Sequence, residues 1–490
     1  MYEKSLVDDI AYQNIVSSLN YQEEFTQICV FAEKIEKEKS ISCIFMLSES
    51  SFTVFTQKAI LKFYSISETR SCFEITRVYS EKDDEFVLFF QNNFSLKFFT
   101  SQTKHILEII VQHVHNILAD TEMPEVDLES FDYTILRHSG YSSLMRFRAR
   151  VFNENFVINN RINDIYMQFL DSKKNLLDLR IFPDVQHVTQ LLLDSVNCEP
   201  MIDSIQIPNS FSCWSELSYF FKRNTTIKSL IVSQPPDHLF PFFVQSLRNN
   251  PLNKLKQIIF VKTRFDEEQI RQLIEFLKRS KIERLGLRES INHHNSALFM
   301  NTLSEEIHAT NIKSLDFDNT KSGLNLRQLF IGGSRGIEEL SVQNCKIQLA
   351  EIFEFLDESS IIKKVDMSGN RCEHLIDDKI QISESLEKIK VANILFGEDN
   401  FNRLMKVLCK FKGNVNLSRS ILDRERWEHL FTSLHQSENC QISVIHWDDN
   451  PISLKFLDFL DSCVNLKKLS LSGCFGSDDL IFNDVVEFLK

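Results

Sequence analysis

One short pattern recurs through the last two thirds of the chain: aliphatic, two residues, aliphatic, one residue, aliphatic or aromatic. It runs as LLDLRI from Leu176, IDSIQI from Ile202, IKSLIV from Ile227, LKQIIF from Leu255, IERLGL from Ile282 and IKSLDF from Ile312. It continues as IEELSV from Ile337, IKKVDM from Ile362, LEKIKV from Leu386, KGNVNL from Lys412, ISVIHW from Ile442 and LKKLSL from Leu466. Of the 36 pattern positions in twelve copies, 35 are apolar and Lys412 alone breaks the rule. The middle residues, Leu179 to Leu469, follow one another at intervals of 24 to 30 residues. A period of that length means one supersecondary unit repeated, each copy resting on its neighbours.

The segments between copies have the apolar spacing of helices, as in 265–280, 349–360, 402–411 and 425–435. Each unit therefore reads as a short strand followed by a helix, and neither can bury its apolar side alone. Stacking buries both, with parallel strands lining a concave face and helices outside. Five residues after the middle aliphatic stand Thr263, Ser290, Thr320, Cys345, Asn370, Ser420, Asn450 and Cys474, small polar side chains able to satisfy backbone groups at a turn; Ile394 is the exception. The expected fold is an α/β leucine-rich-repeat solenoid, a ribonuclease-inhibitor-like arc of about twelve units over residues 173–490.

Residues 40–100 read differently, as short period-2 runs: ISCIFMLS, SFTVFTQ, AILKFYS, CFEITRVYS, EFVLFFQ and FSLKFFT, parted by SESS, SETR, SEKDDE and QNN. These are strands with hairpin-length breaks. The helical run 101–118 follows, with Ile106, Leu107, Ile110, Val114 and Ile117 on one stripe. Strands closed by one C-terminal helix match a pleckstrin-homology layout, so residues 21–118 are expected to form such a β-barrel domain after an N-terminal segment, 1–20. Residues 119–172 are too apolar for a flexible tether and are expected to pack as a rigid linker that caps the open edge of the repeats.

The order of parts resembles the N-terminal half of the CARMIL proteins, linkers of capping protein, actin nucleators and myosin I. The likeness rests on the strand series ISCIFMLSESSFTVF through FSLKFFT, the helix after it and the linker run ILRHSGYSSLMRF. It implies a membrane-recruited scaffold that organises actin, cytoplasmic and peripheral at the plasma membrane. In that family the capping-protein motif and the Pro-rich myosin-binding tail follow the repeats. The present sequence ends in its twelfth copy, at DVVEFLK, so the resemblance assigns those activities to no residue here.

Composition narrows the function. In 490 residues there are only 11 Gly and 9 Pro, which excludes a largely disordered or collagen-like chain. The net charge of −13 argues against a general grip on nucleic acid. There is no run of 18 apolar residues to span a bilayer, and the acidic start MYEKSLVDDIAYQ does not read as a secretory signal. Eleven scattered cysteines without CxxC spacing read as buried reduced thiols. No nucleotide-binding, hydrolase or zinc-protease motif is present. His113 and His115 point to different helix faces, His293–His294 reads as a surface loop, and Asp448–Asp449 as turn chemistry. No enzyme, metal or cofactor is expected.

The concave face supplies the partner site. Phe182, Ile231, Ile259 and Val261 are expected to face solvent as an apolar patch, with Arg284 and Arg288 beyond it. Either an external protein or the folded-back linker covers that patch. In the first domain Lys34, Lys37 and Lys39, with Lys58 and Arg70 nearby, are the candidates for a weak lipid headgroup contact, though acids are interleaved with them. The final repeat lacks a polar cap, so a partner or a second copy is expected at that edge. Two other functions fit the repeats: a small-GTPase regulator, and a repeat scaffold unrelated to actin.

Overall fold

The computed structural model describes residues 15, 28–37, 39–57, 64–118, 122–128, 142–154, 156, 159–183, 185–197, 199–209, 213–291, 296–321, 324–330, 336–358, 361–420, 427, 440–475 and 485–487. The chain is mixed α/β and divides into two compact units. One comprises Met1–Gln206, Phe211–Ile227 and Gln245–Lys254; the other comprises Ile207–Ser210, Lys228–Val244 and Leu255–Lys490.

The first unit begins with an eight-stranded sheet. Its strands are β1 (Ile28–Glu36), β2 (Lys39–Leu47), β3 (Ser51–Gln57), β4 (Tyr64–Ser71), β5 (Ile75–Lys82), β6 (Glu85–Phe90), β7 (Phe94–Phe99) and β8 (Glu125–Leu128), in the order β4-β3-β2-β1-β7-β6-β5-β8. Alternation puts Phe45, Phe52, Phe86 and Phe98 on one face, where Phe45 meets the other three at centroid distances of 5.9, 6.0 and 5.2 Å. Helix α1 (Thr103–Ile117) lays Ile106, Ile110, Val114 and Ile117 on this core. On the opposite face Cys29, Ile44, Met46 and Phe55 pack around Ile15.

Three sequence expectations change here. Among the described residues the sheet is open rather than a closed barrel: β4 is one edge, and β8, paired in parallel with β5 from Arg77 against Glu125 through Ser80 against Leu128, is the other. The run ICVFAEKIE, whose charges mask its alternation, forms the first strand. The SETR stretch, expected as a turn, lies inside β4, whose residues are half-buried or exposed as befits an edge strand.

Helices α2 (Ser142–Asn153) and α3 (Asn160–Asp171) follow, and then the first two repeats, strands β9 (Leu176–Asp178) and β10 (Ser204–Ile207) and helices α4 (Val185–Ser195) and α5 (Cys213–Phe221). Buried Arg146 of α2 donates from Nη1 to the Ser195 carbonyl at 2.7 Å, and the Tyr166 hydroxyl of α3 meets Ser195 Oγ at 2.7 Å. Phe147 and Phe182 both set their rings edge-on to Tyr166, at 5.5 and 6.0 Å. Thus α2 and α3 close the core of the first repeat. Four charges lock the arrangement. Arg150 reaches Glu122 at 2.8 Å and Asp194 at 3.8 Å, while Arg223 bonds Asp194 at 2.9 Å and also Glu122.

In the second unit ten short strands, from β11 (Ser229–Val232) through β12 (Gln257–Val261) and β13 (Arg284–Arg288) to β20 (Lys468–Ser470), pair in parallel in chain order. The middle aliphatics are in register throughout: Leu230, Ile258, Leu285 and Leu315 side by side, and so on to Ile445 and Leu469. Alternate residues face the helices. Phe260 packs edge-on to Phe265 at 5.2 Å, and Phe265 in turn reaches Phe299 of the helix Ser296–Glu306 at 6.0 Å. The helix Glu267–Arg279 opens with a reciprocal Asp266–Gln269 cap. Of the expected helices, 425–435 lies outside the described residues apart from residue 427.

Nine of these ten strands, all but β11, end the same way. Four residues after the middle aliphatic the backbone takes a positive φ, at Lys262, Glu289, Asn319, Asn344, Gly369, Asn393, Arg419, Asp449 and Gly473. The amide there donates to the next repeat, as Asn319 N does to the Gln343 carbonyl at 2.7 Å and Asn344 N to Ser368 at 2.9 Å. Glycine suits 369, where φ is +70° and an added Cβ would fall on the end of the Asn344 side chain. One residue on, the small polar side chains turn inward. Asn370 accepts from the Cys345 and Ile347 amides and donates to the Val342 and Met367 carbonyls, at 2.7 to 3.2 Å. Asn450 does likewise with Ser420 N and the Leu417 carbonyl, both at 2.7 Å.

Candidate partner-binding face

Because the strands of the second unit are in register, residues flanking the middle aliphatic form rows on the face turned away from the helices. The central row starts Ile231, Ile259, Gly286, Asp316. Outside it, Val261 stands beside Arg288, and Arg284 stands between Gln257 and Ser314. Five of the six expected partner residues are therefore gathered on this face.

Their exposures differ from expectation. Ile231 and Val261 are half-exposed, but Ile259 is only 2% exposed. The cause lies in the next strand: Gly286 has no side chain, and Ile259 occupies the space a Cβ there would need, 2.7 Å from its Cγ2. Phe182, the sixth residue, belongs to the first unit and is not on a sheet face at all. The register Leu177 to Ile205 shows that the first repeat centres on Leu177, not Leu179. The chain leaves the strand at Asp178, whose carboxylate caps a 3-10 turn, Leu179–Ile181, and Phe182 ends 3% exposed against Tyr166. At this position the linker covers the repeat.

Arg284 and Arg288 converge on Asp316, whose side chain is wholly buried. Arg284 Nη2 donates to Asp316 Oδ2 at 3.1 Å, and Arg288 donates to the same oxygen from Nε at 2.9 Å and Nη2 at 2.6 Å. Burial alone would raise the Asp316 pKa, but the Arg288 hydrogen bonds and charge, the Asp318 amide and Arg284 together hold it below the usual carboxylate range. Its neighbour Asp318 is pushed up, first by burial and then by the charge of Asp316, against hydrogen bonds from Ser341 Oγ at 2.6 Å and Gln343 N at 2.9 Å. The two guanidinium groups keep about a third of their side-chain surface open, 37% and 34%. The result is a half-apolar, half-cationic patch with its arginines held in place. Asp316 shares the face with the arginines but lies beneath them rather than in solvent, and so orients them.

Further along, charges are compensated: Lys364 pairs with Glu339 at 2.6 Å and Lys390 with Asp366 at 3.0 Å. Asp448 accepts from Ser470 Oγ at 2.6 Å and Ser472 N at 2.8 Å, and Asp449 has φ +57° and accepts from Arg419 at 2.9 Å, so this pair serves the turn.

The expected lipid contact does not assemble. Lys34 lies in β1, buried, with its ammonium 2.6 Å from Glu36. Lys37 and Lys39 sit at the β1–β2 hairpin, whereas Arg70 stands at the other end of the sheet, where Phe52 pairs with it and Leu47 pairs with Ile28. Eight strand residues, about 26 Å, separate the two ends. Arg70 is taken up by Glu68 at 2.9 Å and by the Phe94 ring, 4.0 Å from its centroid. Lys58 and His293–His294 lie outside the described residues. His113 is buried, its Nε2 3.0 Å from the Glu49 carbonyl; burial presses its pKa down to about 4, so it is a neutral core residue. Among the described residues no group of three or more His, Cys, Asp or Glu is placed to hold a metal ion, and no helix is long and apolar enough to cross a membrane.

No protein-family model and no curated protein matches the chain. Among solved structures, one similar chain is titled as Vav1 bound by an allosteric inhibitor, at 12% identity and TM-score 0.19 over 22% of each chain. Another is from a complex of TLR13 with a single-stranded RNA, at 15% identity and TM-score 0.25 over 56% of this chain and 33% of that one. The chain thus spans about a fifth and a third of their lengths, and at these TM-scores neither likeness bears on fold or function.

Proposed function

We propose that the chain is a non-enzymatic scaffold of the leucine-rich-repeat type, headed by a pleckstrin-homology-like domain, which binds a protein through the helix-free strand face of its second unit. The observation that carries this is the continuity of half-exposed Ile231 and Val261 with Arg284 and Arg288, both oriented by buried Asp316. Apolar contact beside a pre-oriented guanidinium pair is the composition of an interface centre, where arginine is enriched and flexible lysine is not. The partner chemistry that fits is an apolar side chain next to a carboxylate. The order of sheet, helix, packed helical linker and repeats supports the further reading that the chain, like CARMIL proteins, organises actin beneath the plasma membrane. Among the described residues β20 is an edge of the sheet, and we propose that a second copy of the chain meets it there, which light scattering measures.

The test is a pull-down from lysate of the source cells with wild type and with Ile231→Asp plus Val261→Asp. These two side chains reach solvent, whereas Ile259 is buried and its substitution would confound folding with binding. Actin regulators retained by the wild type and lost from the variant support both readings. A defined partner set without actin-linked proteins keeps the face and discards the actin assignment. A partner set unchanged in the variant discards the face.

A further inference from the structure

Three cysteines of the second unit stand side by side just ahead of successive strands: Cys409 before Asn414–Asn416, Cys440 before Val444–His446 and Cys463 before Lys468–Ser470. Backbone hydrogen bonds fix their neighbourhood. Cys440 N donates to the Ser462 carbonyl at 3.0 Å, Val464 N to the Cys440 carbonyl at 3.1 Å, and Gln441 N to the Cys409 carbonyl at 2.7 Å. The first two bonds make Cys440 and Cys463 a directly opposed parallel pair. Opposed residues on neighbouring strands lie about 4.8 Å apart at Cα, inside the roughly 4.4–6.8 Å span that a disulfide bridges. Cys29 and Cys43, by contrast, face Met46 and Ala32 across their strands.

We propose that Cys440 and Cys463 are a peroxide-responsive disulfide site, with Cys409 as a third thiol that donates a hydrogen bond to Cys440. The contacts from Cys409 and Cys463 favour the thiolate at Cys440 and press its pKa down against the effect of burial, while Cys345 and Cys372, buried away from other thiols, are pushed up to about 12. Cys440 itself is fully buried. Cys463 is 7% exposed and its neighbour Val464 58%, so the pair lies one residue below the surface, and a local opening there must admit the peroxide to Cys440.

The chemistry balances in two steps. The Cys440 thiolate attacks one peroxide oxygen; the S–O bond forms, the O–O bond breaks, and the departing hydroxide takes a proton to leave as water. The Cys463 sulfur then attacks the sulfenic sulfur; the S–S bond forms, the S–O bond breaks, and a second water leaves with the Cys463 proton. Two thiols give up two electrons and peroxide becomes two waters. The product adds a covalent tie between the approaches to β20 and the strand before it, which already meet through backbone and side-chain hydrogen bonds.

The full chain is treated with hydrogen peroxide while folded, quenched, denatured and labelled with a maleimide. The expected intact mass shows the label count falling from eleven cysteines by two, with the Cys440 and Cys463 peptides linked and both thiols recovered by dithiothreitol. Cys409→Ser should still lose two thiols, whereas Cys440→Ser and Cys463→Ser should lose none. Having both single variants keeps the test decisive if one of them fails to fold. No loss of thiols in the folded wild type, a linkage between other cysteines, or sulfinic acid without linkage would each overturn the proposal.

Discussion

Ile259 is buried because residue 286, one repeat later and directly opposite it, is glycine; a Cβ at 286 would lie 2.7 Å from Ile259 Cγ2. This contact joins the apolar and cationic halves of the face. Gly286→Ala therefore forces Ile259 out of its place and should cost about 1–3 kcal/mol, the usual range for overpacking. Chemical denaturation of Gly286→Ala, Ile259→Ala and the double variant checks it. The double variant should be more stable than the sum of the single losses allows; strict additivity would mean the contact is slack.

The square of Glu122, Arg150, Asp194 and Arg223 holds the linker helix against the first two repeats. Arg223→Ala leaves Asp194, nearly buried, with the more distant Arg150 and a hydrogen bond from Gln190, and losing one partner of a buried ion pair costs about 3–5 kcal/mol. The expected result is a lowered unfolding midpoint together with earlier proteolysis between residues 119 and 172. Arg271→Ala, at an exposed pair within one helix, should change the midpoint hardly at all.

His113 gives the first unit an acid sensitivity. Its ordinary pKa of 6.5 is pressed to about 4 by burial, so at neutral pH it is uncharged both folded and unfolded and contributes nothing to the balance. Between pH 6.5 and 4 the unfolded chain binds a proton that the folded chain does not, and stability falls as pH drops through this window. The full span is worth about 3 kcal/mol. A pH series of denaturation midpoints should show this loss in the wild type and a flatter curve in His113→Gln.

Asn370 makes four hydrogen bonds to backbone groups of its own turn and of the one before it. Asn370→Ala strands buried amides and carbonyls and should cost about 2–3 kcal/mol. Asn370→Thr retains one short polar group and should recover part of it.

The repeats were legible because their signal is local: the middle aliphatics recur in every copy and the polar residue five places on in most, and each does the same job in its own strand or turn. What the sequence hid is set by neighbours one repeat away. Ile259 reads as exposed until Gly286 is seen beside it, and Arg284 and Arg288 read as free until Asp316 is found beneath them. Phe182 was misplaced because pairing with Ile205, rather than the best apolar match, fixes the first register at Leu177. In the first unit, β1 was missed because Glu33, Lys34 and Glu36 interrupt its apolar run, and the lysine cluster looked convergent only along the chain. Residues 119–172 were expected to pack for their apolar content; sequence alone could not align Arg146 and Tyr166 with Ser195, or Arg150 with Asp194.

The central claim is that the helix-free face around Ile231, Val261, Arg284 and Arg288 is the partner surface. The most direct measurement is the comparison of proteins retained from source-cell lysate by wild type and by Ile231→Asp plus Val261→Asp, with circular dichroism and thermal unfolding recorded on both. The account expects a defined set of proteins held by the wild type, lost from a variant that is equally folded. The same set held by both chains would contradict it.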